Sequence, residues 1–81
     1  MKTRQFHVKN QYVIEGQDCT LFQSYDSIIA RKDNTGITLD TRTWDYSKTT
    51  GKYRNLFLGE TKKETEYKIK SGEYKLADLN G

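Results

Sequence analysis

The sequence predicts an α+β fold: a small antiparallel sheet of about four strands packed by one or two short helices. Three observations lead there. Apolar residues fall in short blocks of period two as far as residue 40. The clearest turn, Asp33-Asn34-Thr35-Gly36, joins two such blocks. Beyond Asp45 the spacing of apolar residues becomes helical and stops at a glycine, Gly59. A chain of 81 residues is enough for one small domain, 1–81, and too short for two separate cores.

In the stretch Arg4 to Glu15, Phe6, Val8, Tyr12 and Ile14 share one parity, which predicts extended chain with those four side chains inward and an interruption near Asn10 and Gln11. Glu15-Gly16-Gln17-Asp18 reads as a turn, since glycine tolerates positive φ and aspartate bonds its own backbone. A strand over Cys19–Ser24 follows and pairs back on the first. Two further strands, at about 26 to 32 and 36 to 40, flank the Asp33 to Gly36 turn. Ser47 or Asp45 then caps a helix through Lys48 to Leu58, with Tyr53, Leu56 and Phe57 facing the sheet. The tail is ambiguous. Thr61-Lys62-Lys63-Glu64 has capping-box spacing and Gly72 suits a helix stop, but Tyr67 to Leu76 also alternates like a hairpin. A short charged helix followed by an extended Tyr74 to Leu79 is the preferred reading.

Composition narrows the function classes. Leu, Ile, Val and Phe number 16 of 81, so the core is lean and six tyrosines, three phenylalanines and one tryptophan carry much of the apolar content. No stretch approaches 18 apolar residues, and the N-terminus lacks the continuous apolar run of a secretory signal; a membrane span is not expected, and a cytoplasmic setting is. A single cysteine allows no intrachain disulfide. One Cys and one His do not make a zinc tetrahedron, and the scattered glycines form no phosphate or dinucleotide fingerprint, so neither metal nor cofactor is expected. The formal charge of +3 falls short of the strongly basic character of phosphate-binding domains. The one pairing with catalytic potential is Cys19 with His7, if the first hairpin brings them together. The expectation is that the protein is not an enzyme.

Three blocks stand out: Phe22-Gln23-Ser24-Tyr25-x-Ser27-Ile28-Ile29-Ala30, Leu39-Asp40, and Trp44-Asp45-Tyr46-Ser47-x-Thr49-Thr50-x-Lys52-Tyr53-x-x-x-Phe57-Leu58. Their pattern resembles small proteins encoded by bacteriophages and related mobile elements of Gram-positive hosts. The resemblance implies a role inside a host cell during infection or element maintenance, such as inhibition of a host factor, and assigns no residue a role.

The segment Trp44 to Arg54 carries the candidate site. From Tyr46 to Gly59 there is no acid, while Lys48, Lys52 and Arg54 supply three positive charges. On a helix Lys48 and Lys52 face one side, Ser47, Thr49 and Thr50 offer hydroxyls and amides at its N-terminus, and Trp44 and Tyr46 add flat rings. Tyr25 joins the set because tyrosine, a large rigid ring with a hydroxyl, suits protein interfaces. Tyr67 and Tyr74, flanked by charges, read as surface residues, and Lys62 with Glu66 and Glu64 with Lys68 read as solvated pairs four apart. The preferred function is a noncatalytic binding protein that occludes a host or defence protein, anchored by Tyr25, Trp44, Tyr46, Lys48, Lys52 and Arg54. The alternative is a nucleic-acid-binding accessory protein that uses Trp44 to Arg54. A homodimer is compatible with the lean core, which gains from further burial.

Overall fold

Residues 2–15 make a hairpin, not one strand. In the computed structural model, which describes residues 2–81, β1 (Lys2–Phe6) turns at His7 and pairs antiparallel with β2 (Val8–Glu15). His7 takes a φ of 67° and Asn10 one of 72°. Each reversal of local hand shifts the alternation of side chains, as a bulge does. The parity expected for this segment is therefore overturned for three of its four residues. Gln11 and Val13 are buried, Val8 is exposed, and Tyr12 and Ile14 lie on the opposite face; Phe6 alone packs against the core.

From there the expectations hold. β3 (Cys19–Ser24), β4 (Ser27–Asp33) and β5 (Gly36–Asp40) continue the antiparallel meander through the turns at Gly16 and at Asp33 to Gly36. The Asp33 carboxylate accepts from the Thr35 amide and hydroxyl and closes the second turn. The helix α1 spans Lys48–Leu58, with the Ser47 hydroxyl accepting from the Thr50 amide and Gly59 in the left-handed region at φ 70°. The tail resolves toward its preferred reading. α2 (Lys62–Ser71) carries a complete Thr61/Glu64 capping box and stops at Gly72, and β6 (Lys75–Ala77) then joins β5 in parallel. The sheet has six strands in the order β1-β2-β3-β4-β5-β6. The fold is the predicted α+β class, with two more strands than expected: β1 from the split of the first segment and β6 from the tail.

Both helices lie on one face of the sheet. Val13, Phe22, Ala30 and Leu39 stand opposite one another across neighbouring strands, and the register shift between Phe22 and Gln23 lets Ile29 join them. α1 covers this inner face with Tyr53 and Phe57, and Phe22, Phe57 and Phe6 form an aromatic cluster with centroids 5.5 to 6.2 Å apart. The buried stripe of α1 is Thr50, Tyr53, Arg54 and Phe57, at helical spacing. Leu56, expected on this stripe, is half exposed, because Arg54 takes the place beside Tyr53. Tyr74 is also buried, contrary to its expected exposure, whereas Tyr67 is 71% exposed. Docking of β6 on β5 brings the Tyr74 ring into the core and its hydroxyl within 2.7 Å of Glu60.

Candidate functional site

The site begins at Asp40, at the end of β5. Its side chain is buried and accepts hydrogen bonds from the amides of Arg42, Thr43 and Leu79 and from the Thr43 hydroxyl. Burial alone would raise this carboxyl's pKa, but the bonds from Leu79 and Thr43 outweigh it and hold the group below its usual range. The clamp fixes the path from β5 to α1, and the Trp44 amide donates to the Asp40 carbonyl. Trp44 is thus held half-buried against the core.

Arg54 comes up from the buried side of α1 to meet this connection. Its guanidinium lies over the Trp44 ring at 5.1 Å, donates to the Trp44 carbonyl at 2.6 Å and to Asp45 at 3.1 Å, and donates again to Asn55 at 2.9 Å. The side chain is 1% exposed. Asp45 also takes Lys62 of α2 at 2.8 Å. Burial works against the charge on Asp45, and the bonds from Lys62 and Arg54 overcome it, so its pKa is lowered. Spacing along the helix pairs Lys62 with Glu66 and Glu64 with Lys68. In the fold Lys62 reaches Asp45, Glu64 caps its own helix, and Lys68 reaches Glu60. Glu60 collects Lys68, Thr65 and Tyr74, which hold its carboxyl low against the effect of burial. Burial and the neighbouring Glu60 push the Tyr74 phenol up to about 12.

Along the solvent side of this scaffold runs an open groove of about 700 Å³. Tyr46, Lys48, Lys52 and Leu56 line it on the side of α1, with Asp45, Arg54 and Lys62 at its base and far wall. Tyr46 is 48% and Leu56 50% exposed. Lys48 and Lys52 form no salt bridge among the described residues, although Lys52 lies 5.4 Å from the Tyr53 ring. Four cations against one carboxylate leave the groove positive, with its free charge on Lys48 and Lys52.

The six expected anchors divide. Tyr46, Lys48, Lys52 and Arg54 meet in the groove, but Arg54 is a buried strut under it, not an exposed anchor. Trp44 stands behind Arg54 with a ring face covered, and Tyr25 lies outside the groove lining. Tyr25 is exposed at the β3–β4 turn with a φ of 56°, next to Ser24, whose hydroxyl shares a buried hydrogen bond with Thr50 at 2.9 Å. That bond also removes Thr50 from the hydroxyls expected at the helix N-terminus, and the Ser47 hydroxyl is occupied by the cap. Leu56, Asp45 and Lys62 are the residues missed. In the sequence Asp45 reads as a helix cap and Lys62 chiefly as a solvated charge; no local signal joins residues from two helices and a loop.

His7 and Cys19 do not meet. His7 sits at one end of β2 and Cys19 follows the turn at the other, with the eight-residue strand between them, roughly 26 Å in length. Cys19 lines a separate cleft of about 440 Å³ beside the turns at Gly16 and Asn34. No group of three or more His, Cys, Asp and Glu side chains able to hold a metal ion occurs among the described residues. No helix among them is long and apolar enough to cross a membrane.

No curated protein and no solved structure matches the chain. A family model does match, over residues 1–73, which take in the first five strands, both helices and every residue of the groove; the chain belongs to this family, described as a family of unknown function (DUF8033).

Proposed function

We propose that the protein is a noncatalytic binding module whose α1 groove takes an acidic, partly apolar segment of a protein partner and so occludes that segment from other contacts. The observation that supports this reading most is the placement of two exposed apolar side chains, Tyr46 and Leu56, beside Lys48 and Lys52 in one groove. Lysines without counter-charges attract and orient acidic groups, and the apolar pair provides surface whose burial holds the complex. The scaffold under the groove is rigid, because Arg54, Asp45 and Lys62 tie α1, α2 and the Trp44 loop together. Rigid surfaces bind with less loss of conformational freedom. The resemblance to phage and mobile-element proteins supports a host or defence protein as the partner, met in the host cytoplasm.

A nucleic-acid partner keeps less of its basis. Base stacking needs exposed rings and phosphate contact needs free cations. Here Arg54 is buried and covers a face of Trp44, leaving Tyr46, Lys48 and Lys52. The test is capture from host lysate, with and without nuclease, by wild type, by Lys48→Glu/Lys52→Glu and by Leu56→Glu. The expected result is a protein captured regardless of nuclease, lost from both variants, and weakened only moderately by salt. Capture that survives both variants, or that disappears with nuclease, overturns the proposal.

A further inference from the structure

The groove along α1 is rich in hydrogen-bond donors and poor in acceptors. Lys48 and Lys52 bring ammonium groups that have no counter-charge among the described residues. The side-chain oxygens beside them are engaged. Asp45 accepts from Arg54 and from Lys62, the Asn55 side-chain oxygen accepts from Arg54, and the Ser47 hydroxyl accepts from the Thr50 amide. The lining comes from residues 45–56 and from Lys62, and among the described residues no strand contributes to it. An occupant therefore meets cations and apolar surface, with no sheet edge to pair with. An extended segment does not suit such a surface. Its backbone amides would be covered with few acceptors to receive them, and burying unpaired amides is unfavourable. Extended peptides meet that demand by adding to a sheet edge. A helix meets it within the segment and turns only side chains outward.

We propose, on the reading that this groove is the binding surface, that its occupant is an amphipathic helix of the partner, with two acidic residues four apart and an apolar residue one turn beyond each. Lys48 and Lys52 stand four apart on α1, so their side chains leave it on one side, about 6 Å apart along the axis. Two carboxylates four apart on a helix laid along α1 repeat that spacing. Tyr46 precedes the N-cap and Leu56 lies one turn beyond Lys52, so exposed apolar surface flanks the cation pair at both ends. The matching pattern is apolar, acid, acid, apolar at four-residue steps, which reads the same in either chain direction. Gly51 lines the groove without a side chain and lets the two helices approach closely.

Fluorescence anisotropy of the full chain with labelled synthetic peptides tests this. The matched peptide, about 18 residues on an alanine and glutamine background, carries two glutamates four apart with a leucine four residues outside each. One control moves the glutamates to the opposite helix face, and the other places a proline at the centre, which breaks the helix. The wild-type protein should bind the matched peptide at least about tenfold more tightly than either control, and circular dichroism should show the peptide gaining helix on binding. Lys48→Glu/Lys52→Glu, checked for an unchanged Tm, should lose the matched peptide and take instead one with lysines in place of the glutamates. Controls that bind as tightly as the matched peptide overturn the helical occupant, as does a matched peptide that shows no binding at about 1 mM. Failure of the groove reading looks different. If all three peptides bind alike and all are lost from the double variant, the groove stands and the helix falls. A matched peptide that binds the double variant as tightly as the wild type defeats the groove itself.

Discussion

Arg54→Leu asks whether the buried guanidinium is a strut of the fold. Leucine fills part of the same space and removes the charge. The variant loses donors to the Trp44 carbonyl at 2.6 Å, to Asp45 at 3.1 Å and to Asn55 at 2.9 Å, and the guanidinium's stacking on Trp44 at 5.1 Å. Bonds to a charged group contribute about 1.5 to 3 kcal/mol each when one partner is deleted. Two effects offset that loss: a guanidinium no longer has to be dehydrated, and an apolar side chain is buried in its place. Breaking a buried pair costs about 3 to 5 kcal/mol when the remaining charge is stranded. Asp45 is not stranded, since it is 29% exposed and keeps Lys62. The net expectation is a destabilisation of about 2 to 3 kcal/mol. For a domain of this size that corresponds to a fall in Tm of about 10 to 20 °C. Urea unfolding followed by the fluorescence of Trp44, the one tryptophan, measures it directly. A double-mutant cycle with Asp45→Ala should give a coupling of about 1 kcal/mol or more. A loss under about 0.5 kcal/mol, or strict additivity with Asp45→Ala, would refute the strut.

Four further outcomes are expected. Gly51→Ala should stabilise by about 0.5 to 1 kcal/mol through helix propensity, because the added Cβ meets Arg54 and Asp45 at the ordinary distances of 3.6 to 3.7 Å; a lower urea midpoint would show that the groove floor has no room. Gln11 is fully buried with neither amide atom bonded to protein, so Gln11→Met should raise stability by about 1 kcal/mol, and a lowered Tm counts against that. Tyr25→Asn should relieve about 1 kcal/mol of strain, since asparagine tolerates the positive φ that tyrosine holds there; an unchanged or reduced urea midpoint contradicts this. Acid should unfold the chain through Asp40, Asp45 and Glu60, whose pKa values are all lowered in the fold. A depressed carboxylate stabilises above its unfolded value, here 3.8 for aspartate and 4.5 for glutamate, and that stability drains away as pH falls through the folded values. Urea midpoints should therefore be level from pH 7 to about 5 and fall steeply below 4, and a midpoint at pH 3 equal to that at pH 7 would exclude this linkage.

The sequence by itself determined what short-range chemistry decides. Ser47 and Gly59 placed α1, Thr61 and Gly72 favoured α2 over the hairpin that the same tail also fitted, and Gly16 and Asp33 to Gly36 placed the turns before β3 and between β4 and β5. A cap or a turn is a hydrogen bond within three or four residues, so its signal lies in adjacent letters. Tertiary structure decided every question of facing. His7 and Asn10 reversed the parity of the first segment without a glycine to announce it. Arg54 turned inward because the Trp44 carbonyl and Asp45 were there to receive it, and Tyr74 went in because β5 offered β6 an edge. The groove followed from the same cause. Its lysines were visible on the helix as a pair four apart, but Leu56 and Lys62 joined them only when α1 and α2 came together around Asp45. Burial is a property of which distant segments meet, and pairing energies there depend on removing both partners from water, which no window of neighbouring residues encodes.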